Sequence, residues 1–150
     1  MTMPDRFDLA IIKELQSNAR ITITELASRV GLSKTPCQVR MRRLERESYI
    51  LGYTALLDRS KLGDKHIAFA QVTLNDTKTR ALDAFNQAVR GITEVEQCHM
   101  IAGGFDYLLK VRTADMETYR AILGEKISSL PHVVQTSTFV VMESVKDLQN

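Results

Sequence analysis

Five cations crowd one short stretch of this chain: Lys34, Arg40, Arg42, Arg43 and Arg46 lie between Ser33 and Glu47, opposed only by Glu45 and Glu47. A guanidinium is a planar fork of donors that matches two acceptors at once, on a phosphate or on the O6 and N7 edge of guanine. Gathered on one surface, such groups form an electrostatic footprint for a polyanion. A solvated helix face has the same composition, so charge alone leaves both readings open. The groups that carry covalent or metal chemistry do not gather in this way. His66, His99 and His132 are scattered, and neither Cys37 nor Cys98 has a partner at metal-ligand spacing. Cys98 and His99 are neighbours on a predicted strand and so point to opposite faces. There is no phosphate-binding glycine loop and no nucleophile elbow. An enzyme is therefore the losing reading, and no metal is expected.

The elements that would position the cations are legible. Asp5 is placed to cap a first helix carrying Leu9, Ile12 and Leu15 at helical spacing, with Ile11 beside them. Thr22-Ile-Thr-Glu25 has capping-box spacing and opens a short helix over 23–30 that buries Leu26, Ala27 and Val30. Gly31 supplies a left-handed turn, Leu32 plugs the core, and Ser33 caps a third helix running to about Glu47. On a wheel of 100° per residue, Cys37, Met41 and Leu44 form its inward stripe. Thr35, Val39, Arg42, Arg43 and Arg46 fall on the opposite face, with Gln38 and Arg40 on the flanks. A helix, a glycine turn and a second helix with a basic outer face make a helix-turn-helix, although a helical bundle without such a role shares the pattern.

Beyond Glu47 the texture changes. Residues 49–57 are β-branched and aromatic around Gly52 and predict a small β wing, and 58–65 (DRSKLGDK) reads as a linker. From there the order is strand 66–74, helix 79–89, strands 95–102 and 107–112 flanking the turn Gly103-Gly104-Phe105-Asp106, helix 116–130 and strand 133–142. That βαββαβ order is the ferredoxin-like pattern. The expected class is α+β, with a winged helix-turn-helix domain at 1–57, a linker at 58–65 and a ferredoxin-like domain at 66–150.

Charge divides along the same boundary. Residues 1–62 hold 11 Lys+Arg and 7 Asp+Glu, whereas 63–150 hold 9 and 11, so the basic surplus behind the overall +2 lies in the first part. No apolar run approaches the roughly 18 residues of a membrane span. MTMPDRFDLA lacks the features of a signal peptide, and two cysteines make no disulfide framework. These features predict a reduced, cytoplasmic protein.

GLSKTPCQVRMRRLERE at 31–47 and CHMIAGGFDYLLKV at 98–111, in this domain order, resemble the Lrp/AsnC (feast/famine) family of bacterial and archaeal transcription regulators. The resemblance covers essentially the whole chain. SKTPCQ, VEQCHMIAGGFDYLLKVRT and GEKISSLPHV are most similar to the PutR-type activators of proline catabolism. One departure stands out: Ser48 follows the third helix where the family usually has glycine, at a cost of ~1–2 kcal/mol if that residue is left-handed.

On the DNA side, the reading face divides by reach. Lys34, Arg42 and Arg46, with the first-turn amides capped by Ser33, are expected to contact phosphates. Gln38, Val39 and Arg43, with Thr35 near the helix start, are expected to meet base edges. For the second domain the resemblance implies a sensor that binds a small amino-acid effector, with proline the candidate that the PutR-type likeness suggests. It also implies homodimers that build tetramers or octamers on double-stranded DNA. It places Gly103, Gly104, Phe105 and Asp106 in the effector loop, with Asp106 accepting from an ammonium group, although a plain hairpin turn has the same sequence. The polar run Gln135, Thr136, Ser137 and Thr138 then supplies hydroxyls, from its Thr and Ser members, for a carboxylate, or forms an ordinary polar strand face. Gln97 and His99 share one side of their strand, and Met100 or Phe105 offers an apolar wall for a proline ring.

Overall fold

The structure, a computed structural model, describes residues 3–147. The outer ends of the first and last expected domains, residues 1–2 and 148–150, lie outside the described residues. Chain contacts divide the molecule into two compact units between Ala55 and Leu56.

The first unit contains α1 (Arg6–Ser17), α2 (Ile23–Val30) and α3 (Lys34–Arg46). Asp5 caps α1 by accepting from the amides of Phe7 and Asp8, and the Asp8 carboxylate accepts from the Asp5 amide in return, at 2.9 Å. This is a capping box with aspartate in both places. At α2 only half of the expected box forms. Thr22 Oγ1 accepts from the Glu25 amide at 3.2 Å, but the Glu25 carboxylate goes to Arg29 at 2.7 Å. Gly31 closes α2 at φ 73°, the left-handed turn expected of it.

The core of this unit is Ile11, Leu15, Leu26, Ala27, Val30, Cys37 and Leu44, with Ile12, Leu32 and Met41 packed against it. Leu9 departs from the expected stripe, because it is exposed while Asp8 is buried in its place. Ser33 occupies the cap position of α3 without accepting a cap hydrogen bond, which corrects its expected role. Ser48 is left-handed at φ 60°, and the amides of Tyr49 and Ile50 both donate to the Leu44 carbonyl, at 2.9 and 3.1 Å. Residues 51–58 form no strand, so the wing carries no ladder among the described residues. Tyr53 instead donates from its hydroxyl to Glu45 on α3 at 2.8 Å, and burial together with that carboxylate pushes its phenol up to about 12.

The second unit begins with tight turns rather than an extended tether. Asp58 accepts from the hydroxyl and amide of Ser60, and Arg59 pairs with Asp64 at 2.9 Å. Then follow β1 (His66–Leu74), α4 (Thr79–Val89), β2 (Val95–Met100), β3 (Tyr107–Thr113), α5 (Met116–Ile122) and β4 (Val133–Val140). The end of α5 widens into a π turn over Leu123–Ile127, which periodicity had read as continuous helix. Strands run in the order β2-β3-β1-β4 with every neighbour antiparallel, the split arrangement expected. Ala68, Ala70 and Val72 of β1, with Tyr107, Leu109 and Val111 of β3, face the helices and pack on Phe85, Val89, Tyr119, Ile122 and Ile127. Ile67, Phe69, Gln71 and Thr73 lie on the opposite face, which no helix among the described residues of the unit covers.

Candidate nucleic-acid interface and effector loop

The exposed side of α3 carries Lys34, Thr35, Val39, Arg42 and Arg46, with Gln38 half-buried beside them; Val39 is 62% exposed. A single exposed valine is ordinary on a protein surface, and one placed beside these cations also suits contact with a thymine methyl. Among the described residues, Lys34, Arg42 and Arg46 have no acidic partner, so their charge is available to phosphate. With no side-chain cap from Ser33, the first-turn amides of α3 are likewise available to an anion.

The other two arginines are engaged internally. Arg40 donates to Asp5 at 2.7 Å and to Asp8 at 2.9 Å, and Arg43 donates to Asp8 through a short contact. The Asp8 side chain is 1% exposed, and those of Arg40 and Arg43 are 29% and 23% exposed. This corrects the expectation that Arg43 projects outward to specify bases. A wheel gives direction around one helix and contains no information about a carboxylate 35 residues away on another. Burial acts to raise the Asp8 carboxyl, but hydrogen bonds from the Asp5 amide and the two guanidiniums outweigh it and hold it below the usual carboxylate range. Sequence reasoning missed Asp8, and the available signal was an acid inside the apolar stripe of α1.

In the second unit, the Gly103–Asp106 loop closes a hairpin from β2 to β3, with the Ile101 amide donating to the Asp106 carbonyl at 2.8 Å. The Asp106 amide donates to the Val72 carbonyl at 3.0 Å, and its Oδ2 accepts from the Leu74 amide at 2.7 Å. One carboxylate oxygen is thus committed to holding β1, leaving the other for any ammonium group. Neither Gly103 nor Gly104 has positive φ, and a β-carbon at either would meet nothing closer than 3.6 Å. The turn itself does not require glycine at either position.

The four residues expected to act together on β4 separate by face. Gln135 and Ser137 pair with Thr73 and Gln71 on the open face, whereas Thr136 and Thr138 pair with Val72 and Ala70 on the helix face. Thr138 Oγ1 is hydrogen-bonded to the Tyr119 hydroxyl at 2.6 Å, so its hydroxyl is already used. Gln135 is the member of the run that shares the open face and the sheet end of Asp106. Gln97 and His99 do share the open face, through their pairing with Lys110 and Leu108, but at the far edge from β4. Met100 turns the other way and lines a cleft of about 380 Å³ with Asn86, Cys98 and Tyr107, apart from the loop. Phe105 is half-buried within the loop itself. The histidines remain apart: His66 meets Thr113 at 3.2 Å and His132 meets Asn75 at 3.3 Å.

Residues 4–50 match the model of a winged helix-turn-helix DNA-binding domain, and residues 67–150 match that of the Lrp/AsnC ligand binding domain. The chain belongs to the Lrp/AsnC family. It is 62% identical over 143 residues to a proline dehydrogenase transcriptional activator of Rhizobium radiobacter, spanning 95% of this chain and 92% of that protein. A protein of the same name from Rhodobacter capsulatus is 56% identical over 141 residues, 94% of this chain and 92% of its own length. A transcriptional regulator from Neisseria meningitidis, solved in complex with L-Met, superposes with a TM-score of 0.88 at 31% identity, covering 97% of this chain and 94% of that one. The Lrp/AsnC chain described here is accordingly a DNA-binding transcription regulator with a ligand-binding second domain, and not an enzyme. No helix among the described residues is long and apolar enough to cross a membrane.

Proposed function

We propose that this regulator is a homo-oligomer, dimers building tetramers or octamers, that binds duplex DNA through α3 and controls genes of amino-acid catabolism in response to an amino acid. On this reading Lys34, Arg42, Arg46 and the first-turn amides hold phosphates, while Thr35, Gln38 and Val39 meet base edges. The observation that carries it is the division of α3 into an unpaired outer row and an internally paired row. Three cations without acids on one face, with the other two arginines drawn inward, leave a row suited to phosphate.

For the effector, the reading is proline, and it rests on the two activators named above. The loop's glycines support a ligand in contact with backbone, since the turn geometry does not explain them. Asp106 Oδ1 then takes one of the two N–H donors of a secondary ammonium, with Phe105 against the ring and Gln135 near the carboxylate. Such a regulator works in the cytoplasm, where its DNA is. Calorimetric titration of the full-length protein with proline, leucine and methionine checks the assignment. Heat of binding is expected with proline at millimolar concentration or below; none with proline and clear heat with another amino acid would transfer the loop to that ligand.

A further inference from the structure

The paired arginines of α3 have a consequence for how the helix reads DNA. Arg40 and Arg43 are three apart, so they stand on neighbouring turns of the same face and reach the same acceptor. That acceptor is Asp8: Oδ1 takes Arg40 at 2.9 Å, while Oδ2 takes Arg43 and the Asp5 amide, the latter at 2.9 Å. Asp5 adds a second carboxylate to Arg40 at 2.7 Å, and the ring of Phe7 lies 5.4 Å from the Arg40 guanidinium. Two acids and two bases therefore neutralise one another between α1 and α3. Burying charge is costly even when it is paired, and apolar side chains of similar volume pack there without that cost. Of the four, Asp8 alone is fully buried, so the cluster's clearest effect is on where the two guanidiniums are held.

On the wheel, Arg43 lies about 40° from Val39, at the edge of the outward row. An arginine there that is free to swing reaches the phosphate backbone whatever the sequence beneath it. Contacts of that kind raise affinity for all DNA alike and contain no sequence information. Held by Asp8, it cannot make them.

We propose that Asp8 is a positioning residue for DNA reading, which withdraws Arg43, and Arg40 with it, from the phosphates and so limits α3 to the contacts of its outer row. Asp8 touches no DNA itself. Its effect is on the ratio of specific to non-specific binding, and it rests on α3 being the reading helix.

The test uses full-length protein, a duplex selected from random DNA by the wild type, and poly(dI-dC) as non-specific competitor. Apparent affinity is followed against salt for the wild type, Asp8→Asn, Arg43→Gln and the double variant. Each phosphate contact contributes roughly 0.9 to the slope of log K against log salt. Asp8→Asn is expected to steepen the slope on poly(dI-dC) by about one to two per DNA-binding domain, and to lower the specificity ratio about tenfold or more. Arg43→Gln is expected to leave the slope unchanged. The double variant, with the net charge of the wild type, is expected to lose most of the steepening.

A purely structural Asp8 gives weaker binding to both DNAs at constant slope, which overturns the proposal. Should Asp8→Asn fail to fold, Arg43→Gln still decides. A slope shallower by about one there means that Arg43 already contacts phosphate, and the proposal fails. A wild type that binds neither DNA refutes α3 as the reader, an outcome distinct from any of these.

Discussion

Asp8 is the one acidic residue among the buried charged side chains described, and its surroundings predict how the first unit responds to acid. Asp5 is lowered to about 2, chiefly by the Asp8 amide that donates to it, with help from Arg40. Asp8 is lowered too, its burial outweighed by the Asp5 amide, Arg40 and Arg43. Both groups thus have folded values below their unfolded ones, near 3.9 for a free aspartate. The stability they contribute is fully present above that value and is lost as pH falls through it toward the folded value, about 2 for Asp5. Urea unfolding monitored between pH 6 and pH 2.5 is expected to show a falling midpoint below about pH 4. In Asp5→Asn the fall is shallower, and identical profiles for variant and wild type would remove this linkage. The arrangement was only partly legible. The cap at Asp5 follows from local spacing, whereas the pairing of Arg43 depends on how two helices cross, which no single-helix pattern contains.

At the scale of elements, local rules succeeded where one period decides and failed where two faces or a turn compete. Both helices of the helix-turn-helix, Gly31 between them and the strand–helix order of the second unit follow from spacings of three to four or of two. The polar run on β4 was read as one group because its composition is uniform, yet alternation sends Thr136 and Thr138 to the helices and Gln135 and Ser137 away. The strand expected over 49–57 is absent for another reason. Strand propensity over 49–57 needs a partner strand to become a ladder, and Tyr53 is engaged by Glu45 of α3 instead. The end of α3 supplies the prediction at this scale. Ser48 sits at φ 60° with its neighbours' amides on the Leu44 carbonyl, a geometry that glycine adopts without strain. Ser48→Gly is expected to stabilise the first unit by about 1 kcal/mol, net of the entropy glycine adds to the unfolded chain. Thermal unfolding reads this as a rise of roughly 4–8 °C for a unit of this size. An unchanged or lower midpoint would mean that the Ser48 side chain compensates for its backbone.

For the whole molecule, the proposed pairing of two reading helices on one duplex needs a surface that joins two copies, and the open sheet face offers one. A single helix-turn-helix offers few contacts, and useful specificity comes from two half-sites about 34–36 Å apart, read by a symmetric pair. Part of the open face is already covered by the chain's own end. Lys110 donates to Asp147 at 2.6 Å, Arg112 lies 3.6 Å from the same carboxylate, and the Val141 amide donates to the Ile67 carbonyl at 2.9 Å. Beside this covered strip, Phe139 remains 53% exposed on β4, paired with Phe69 of β1. An aromatic side chain on an antiparallel sheet face suits a second copy more than water. Phe139→Glu would set like charges against each other across a two-fold interface and leave each chain's core untouched. Sedimentation is expected to show loss of self-association, with operator affinity falling by about 10²-fold as the second half-site is lost. The acid dependence of the first unit should remain as in the wild type, which separates a lost interface from a lost fold. If Phe139→Glu still assembles, self-association belongs elsewhere, and the exposed Leu56, Leu57 and Leu62 of the second unit become the residues to test.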